Sequence, residues 1–146
     1  MTRPLRLLLL LPLAAFLAGC EIDNAAYMID GKEHALILNR EKPYFWSSEY
    51  KLAIVVSNMP SCQRRYDLKP ARLAAANVSV YDGGEPERYL LRQGSRWYAV
   101  NSGNCAFAVV AAPDVRPALV GVYRRKDDAF AFVPSKPADT VADEDR

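Results

Sequence analysis

The chain has 146 residues, a length that suits one ordinary domain and is too short for two. Hydrophobic residues make up 51% of it and charged residues 25%, and the formal net charge is +2. These values exclude a fully disordered chain and a strongly basic nucleic-acid binder.

The N-terminus has the composition of a secretory signal. Arg3 and Arg6 supply positive charge ahead of an apolar run of 12 residues, from Leu7 to Ala18. A membrane-spanning helix needs roughly 20 residues, so this run has the length of a signal-peptide core. Without residues 1–19 the chain keeps 17 basic and 17 acidic residues, so its basic character belongs to the signal.

The apolar run ends in Leu17-Ala18-Gly19-Cys20, a Leu-small-small-Cys pattern that resembles the lipobox of bacterial lipoproteins. The resemblance covers residues 1–20 only. In that family the cysteine sulfur receives diacylglycerol, the chain is cut just before the cysteine, and the new amino group is often acylated, for example with palmitate. The resemblance therefore implies that residues 1–19 are a removed signal peptide and that Cys20 is the lipid attachment site.

The residues after the lipobox carry two further expectations. An Asp directly after the lipidated cysteine retains many Gram-negative lipoproteins in the inner membrane, and this chain has Glu21 there. The pattern favours the outer membrane, facing the periplasm. Residues 20–28 are predicted to form a lipidated tether, and a single β-domain is predicted over residues 29–133.

Two cysteines remain, Cys62 and Cys105, in a compartment that permits disulfides. Both lie in turn-like stretches, and we predict that they pair. A disulfide that closes the loop between Cys62 and Cys105 stabilises the fold by about 4 kcal/mol in the chain-entropy model. The spacing matches neither a redox motif nor, together with the single His34, a zinc site. No metal is expected, and no cofactor other than the covalent lipid on Cys20.

Short runs rich in β-branched and aromatic residues, separated by turn residues, predict strands along the rest of the chain. They cover residues 34–39, 50–57, 77–81, 87–92, 96–101, 106–112, 118–124 and 129–133, with 44–46 as a further strand or an aromatic loop. The stretch 59–70 is predicted to be irregular, and one short helix is predicted near 70–76.

Consecutive hairpins favour an antiparallel architecture. The predicted fold is mainly β: a small antiparallel β-sandwich or partly open barrel of seven to nine strands. The run 106–112 is apolar without alternation, so we expect it to be buried on both faces. Residues 134–146 hold little that could enter a core and are predicted to form a disordered acidic tail.

The sequence contains no recognisable catalytic motif, and the chain is predicted not to be an enzyme. His34 has no serine or cysteine in a nucleophile motif beside it. The acid pairs Glu85/Glu87 and Asp127/Asp128 lie in predicted hairpin tips, which are normally solvated.

Three groups are the candidates for an interaction surface: the aromatic run around Tyr44 and Trp46, the aromatic run around Trp97, and the basic pair Arg64-Arg65. Successive side chains of a strand point to opposite faces, so at least one ring of each aromatic run should leave the core. Aromatic and arginine side chains are enriched at interfaces. The predicted surface residues are Tyr44, Trp46, Trp97, Arg64 and Arg65.

Together these features predict a membrane-anchored periplasmic lipoprotein whose non-catalytic β-domain binds a protein or an envelope component. No nucleic-acid partner is expected. Three alternatives remain open. One is a lysozyme inhibitor, because Ser102-Gly103 in a turn resembles the Ser-Gly loop that some small lipoproteins insert into lysozyme, although their aromatic pattern is missing. The others are an envelope hydrolase and an accessory subunit of a secretion or envelope-assembly complex.

Overall fold

The structure, a computed structural model, describes residues 20–136. Within these residues, eleven strands and one 3-10 turn follow each other. The strands are β1 (Glu21–Asp30), β2 (His34–Lys42), β3 (Glu49–Asn58), β4 (Cys62–Asp67), β5 (Ala71–Arg72), β6 (Val78–Asp82), β7 (Arg88–Gln93), β8 (Arg96–Asn101), β9 (Ala106–Val110), β10 (Leu119–Lys126) and β11 (Ala129–Pro134); the 3-10 turn is Leu73–Ala75.

The strands form two antiparallel sheets packed as a β-sandwich, which confirms the predicted fold class. The first sheet has the order β1-β2-β3-β4, with the short β5 paired to the start of β3. The second has the order β11-β10-β6-β7-β8-β9. The number of strands exceeds the predicted seven to nine.

The core lies between the sheets and comes from alternating positions of both. In β3, Leu52, Ile54 and Val56 are buried, and Tyr98 and Val100 of β8 belong to the same buried cluster. Burying a large aliphatic side chain contributes about 1.5–3 kcal/mol, so this cluster is the main source of stability.

Both lateral sides of the sandwich are joined by specific contacts. On one side β1 lies beside β11, where the rings of Tyr27 and Phe132 are 4.7 Å apart. On the other side the Tyr66 ring stacks on Phe107 of β9 at 4.6 Å. The predicted disulfide between Cys62 and Cys105 is present there and is confirmed.

A buried tyrosine in the middle of the core links the two sheets by a hydrogen bond. Tyr123 of β10 is fully buried, and its hydroxyl donates a hydrogen bond of 2.5 Å to the carbonyl of Leu36 in β2. Burial raises the pKa of this hydroxyl above its ordinary value. The neutral phenol is therefore the form that suits the core.

The sandwich has two distinct ends. Strand β3 runs about 30 Å between them at the usual rise of a strand. Its start lies beside the loop 43–48, which Cys20 contacts, and its last residue, Asn58, pairs with Cys62. We call these the Cys20 end and the disulfide end.

The predicted strands are confirmed within a few residues, whereas β1, β4 and β5 were not predicted. The tether expected over 20–28 is wrong, because β1 begins at Glu21 and pairs with β2 as far as Asp30. β1 carries Asp23 at a position that faces Arg40, and local patterning does not identify a charged residue as inward-facing. The sequence of β4 does not predict a strand, because polar side chains occupy its central positions. Polar side chains at such positions are typical of an exposed edge strand.

Two further boundaries differ from the prediction. The helix expected near 70–76 is one 3-10 turn, preceded by the two-residue β5. The tail does not begin at 134, because Pro134 ends β11 and the Ser135 amide donates to the Val120 carbonyl at 2.9 Å. The predictions for residues 1–19 and 137–146 concern segments outside the described residues.

Candidate functional site

A buried arginine organises the Cys20 end of the sandwich. Arg40 is only 1% exposed, and it donates from Nη2 and Nε to Asp23 Oδ2 at 2.6 and 3.2 Å. Its guanidinium carbon lies 4.6 Å from the Tyr50 ring centroid and 4.1 Å from that of Phe130. Since Phe130 belongs to the second sheet, the guanidinium connects the two layers by an ion pair and two cation–π contacts.

Glu21, the first residue of β1, extends this cluster. Its carboxylate lies 3.8 Å from Nη1 of Arg125 in β10 and accepts a long hydrogen bond, 3.5 Å, from the Tyr50 hydroxyl. Burial, and then the negative charge of Glu21, raise the pKa of Tyr50. The residue next to Cys20 is thereby held to both sheets.

Cys20 and the loop that follows β2 occupy the same place. Cys20 is exposed and is the one cysteine in the described range outside a disulfide. Its thiol donates to the Pro43 carbonyl at 3.7 Å. The next three side chains, Tyr44, Phe45 and Trp46, are all exposed, so the prediction of solvent-facing aromatics is confirmed for this run. We call residues 43–48 the aromatic loop.

Basic side chains adjoin the aromatic loop. Arg72 of β5 pairs with Glu49, the first residue after the loop. Together with Arg72, Lys69 and Arg96 line one shallow depression of about 330 Å³. The Gln93 side chain at the end of β7 donates a hydrogen bond of 2.6 Å to the Lys69 carbonyl, which joins β7 to the segment before β5. We call Lys69, Arg72 and Arg96 the basic cluster; all three are exposed.

The edge strand β9 presents a different kind of surface. Its five residues, Ala106–Val110, are all apolar, and Val109 is 71% exposed. The prediction that 106–112 is buried on both faces is wrong. β9 pairs with β8 alone, so water reaches its second edge and much of its side-chain surface. The apolar run reflects an uncovered edge and not a central strand.

β9 stands apart from the other sheet edges within residues 20–136. β4, the corresponding edge of the first sheet, carries the exposed residues Gln63, Arg64 and Arg65. β1 and β11 lie against each other. Charges, prolines and covering elements normally protect sheet edges from pairing with other chains. β9 has none of the charges that protect β4.

A depression of about 320 Å³ lies on the outer face beside β9. Its floor is formed by Ala99, Ala106 and Ala108, and Arg88 lies at its margin. The small side chains leave room for a larger apolar side chain approaching from outside. Arg88 also lies 3.7 Å from Glu85 across the preceding turn.

The remaining predicted surface residues are dispersed. Trp97 is 9% exposed and is not available as a surface ring, because Tyr81 and Leu90 cover it on the outer face of the second sheet. Arg64 and Arg65 are exposed on β4 but lie opposite Val56 and Val55, about 20 Å along β3 from the aromatic loop. The five predicted residues therefore do not form one site.

The residues considered for catalysis are divided between the two ends of the sandwich. Ser102 is fully buried at the disulfide end, and neither its Oγ nor His34 Nε2 has a hydrogen-bond partner among the described residues. The acid pairs are exposed in turns: Glu85 and Glu87 before β7, Asp127 and Asp128 between β10 and β11. No group of three or more potential metal ligands forms within residues 20–136.

The fold thus defines the chain as an antiparallel β-sandwich with a charged, aromatic Cys20 end and an apolar free edge. Comparisons with protein-family models, curated proteins and solved structures found no match to the chain. Among residues 20–136, no helix is long and apolar enough to cross a membrane.

Replacing Arg40 tests the role of the cluster that it organises. We expect Arg40→Met to lower the free energy of unfolding by about 3 kcal/mol, because Asp23 would keep its partly buried charge without a partner. Urea denaturation measures the change. Arg65→Met is the matched control: its pair with Asp67 is long, 3.8 Å, and exposed, so we expect a loss below about 1 kcal/mol. Equal losses in the two variants would contradict the role given to Arg40.

Proposed function

We propose that the protein is a lipid-anchored periplasmic lipoprotein whose non-catalytic β-sandwich binds an extended segment of a protein partner along β9. The observation that carries the binding proposal is the exposure of β9, an apolar edge strand with no charged residue. Cys20 carries the anchor, and the outer membrane is the favoured location.

The anchor proposal rests on the separate roles of the three cysteines. Cys62 and Cys105 form a disulfide, as expected for a protein outside the reducing cytosol. Cys20 ends the Leu-small-small-Cys pattern and is exposed, so its sulfur is accessible to acylation. A diacylglycerol together with an N-terminal acyl chain provides the two or more chains that stable membrane attachment requires.

The binding mode follows from the chemistry of an open sheet edge. An extended segment that pairs with β9 would add a strand to the second sheet, with main-chain hydrogen bonds giving affinity. The five residues of β9 span about 17 Å. An apolar side chain of the added strand would fill the alanine-floored depression and give specificity.

A different protein fits this edge better than a second copy of the chain. Two copies pairing through β9 would bring together five residues each, two of them alanine. Such a contact falls well short of the roughly 800 Å² per partner that a standard stable interface buries. A partner that also enters the depression and contacts the surface beyond it would bury a larger area.

The geometry gives less support to the alternatives. A lysozyme inhibitor would present its Ser-Gly loop, but Ser102 is fully buried. A hydrolase would need converging catalytic groups, and Asp127 and Asp128 lie at the opposite end of the sandwich from His34 and the Glu85/Glu87 pair. An accessory subunit of an envelope complex is compatible with strand pairing at β9 and is a special case of the proposed function.

The lipid anchor predicts a defined mature N-terminus. In protein purified from membranes, we expect the first residue to be Cys20 and its peptide to carry the mass of a diacylglycerol and an acyl chain. Mass spectrometry of the N-terminal peptide measures this. Cys20→Ser should abolish the lipid, whereas the control Cys62→Ser/Cys105→Ser should keep it. A mature N-terminus at another residue, without lipid, would refute the anchor.

The edge strand predicts position-specific contact with a partner. A photo-crosslinker at position 109 should capture one protein in intact cells, whereas the same group at 115 should not, although Val115 is 80% exposed. Val109→Glu should weaken binding of that purified protein about tenfold, and Val115→Glu should leave it unchanged. The decisive readout is hydrogen exchange: the partner should slow exchange of the 106–110 amides. Unchanged exchange there, or cross-links only between copies of the chain, would contradict the proposal.

A further inference from the structure

The aromatic loop exposes more ring surface than any other stretch of the described chain. Tyr44, Phe45 and Trp46 are 55%, 65% and 69% exposed. The Tyr44 and Trp46 rings stack at 4.9 Å, and Phe45 meets Trp46 edge-on at 4.7 Å. The rings are therefore already assembled into a cluster, and no part of the sandwich covers it.

The position of this cluster relative to Cys20 is fixed. The thiol of Cys20 reaches the Pro43 carbonyl, and Glu21 pairs with Lys42 at the last position of the β1–β2 ladder. No residues intervene between Cys20 and β1 to let the lipid move away from the loop. Any acyl chain on this sulfur starts beside the aromatic rings.

The charges around the loop favour an anionic surface. The basic cluster of Lys69, Arg72 and Arg96 is accompanied in its depression by one acidic residue, Glu49. Exposed basic side chains at a membrane surface are attracted to anionic lipid headgroups. Tyrosine and tryptophan are enriched at the level of those headgroups, because their rings are apolar with a polar atom at one edge.

We propose that the aromatic loop and the basic cluster form a membrane-contact face that rests in the interface of a bilayer containing anionic lipids. The inference rests on the proposed lipid anchor, because the acyl chains on Cys20 bring this face to the bilayer. The rings enter the headgroup region beside the acyl chains, and the basic cluster lies over the phosphates. The sandwich then stands on its Cys20 end.

Trp46 reports directly on this contact. The chain has two tryptophans, Trp46 and the buried Trp97, so the difference between wild-type and Trp46→Phe spectra isolates Trp46 emission. The probe is membrane-purified protein reconstituted into phosphatidylethanolamine–phosphatidylglycerol vesicles with brominated acyl chains. We expect Trp46 emission to fall about twofold relative to vesicles without bromine, and Trp97 emission to change little.

A charge-reversal pair tests the basic cluster. Arg72→Glu with Arg96→Glu should reduce the quenching of Trp46 on phosphatidylglycerol-containing vesicles by about half and have no effect on vesicles of phosphatidylcholine alone. The matched control is Arg64→Glu with Arg65→Glu, the same charge change on β4, which should leave quenching unchanged.

The outcomes separate the two proposals. Unquenched Trp46 in protein that carries its lipid on Cys20 would overturn the membrane-contact face and leave the anchor intact. Absence of lipid on Cys20 would overturn both. Equal effects of the two charge-reversal pairs would refute the role of the basic cluster, because only that cluster adjoins the loop.

Discussion

The ion pair between Arg40 and Asp23 determines how the Cys20 end is built. A guanidinium that is 1% exposed must be neutralised, and Asp23 provides the charge from the adjacent strand. The rings of Tyr50 and Phe130 hold the guanidinium from both sheets. Without this pair, β1 would carry an unpaired charge into the interior, and its first residues would no longer be fixed beside β2. The direct connection from Cys20 into the sheet depends on it.

That connection determines what the rest of the surface can do. A lipid on Cys20, as proposed, would hold one end of the sandwich at the bilayer without a spacer. The aromatic loop and the basic cluster lie at that end. β9 starts next to the disulfide end and runs along the side of the second sheet. It ends beside the Cys20 end, where Val110 pairs with Trp97, the neighbour of Arg96. Partner binding along the side of the sandwich and membrane contact at its end would therefore use adjoining surfaces.

Much of the sandwich is predictable from local pattern. β3 and β8 show the alternation of apolar residues that a half-buried strand requires, and the disulfide follows because two cysteines remain once Cys20 is set aside. β1 could not be found this way, since its inward-facing Asp23 is compensated by a residue 17 positions away. A pattern taken along one strand does not reveal that a charge on it is neutralised by a residue of another strand.

The candidate surfaces were harder to predict than the strands, for a related reason. The run in β9 has the composition of a central strand, but its exposure depends on the order of strands in the sheet. Trp97 does point away from the core, as alternation predicts, yet Tyr81 and Leu90 cover it on the outer face. The exposure of Tyr44 and Trp46 was predicted from alternation along a strand, but its cause is different: these residues lie in a loop, where no second layer buries them.

Hydrogen exchange of the lipidated protein, compared between vesicles and detergent, tests the central claim that the sandwich stands on its Cys20 end with β9 free. The account predicts slower exchange in vesicles for amides of 43–48, 69–72 and 93–96, and unchanged exchange for 106–110. Equal exchange everywhere would mean that the sandwich does not rest on the bilayer. Protection confined to 106–110 would mean that the membrane, and not a protein partner, covers β9.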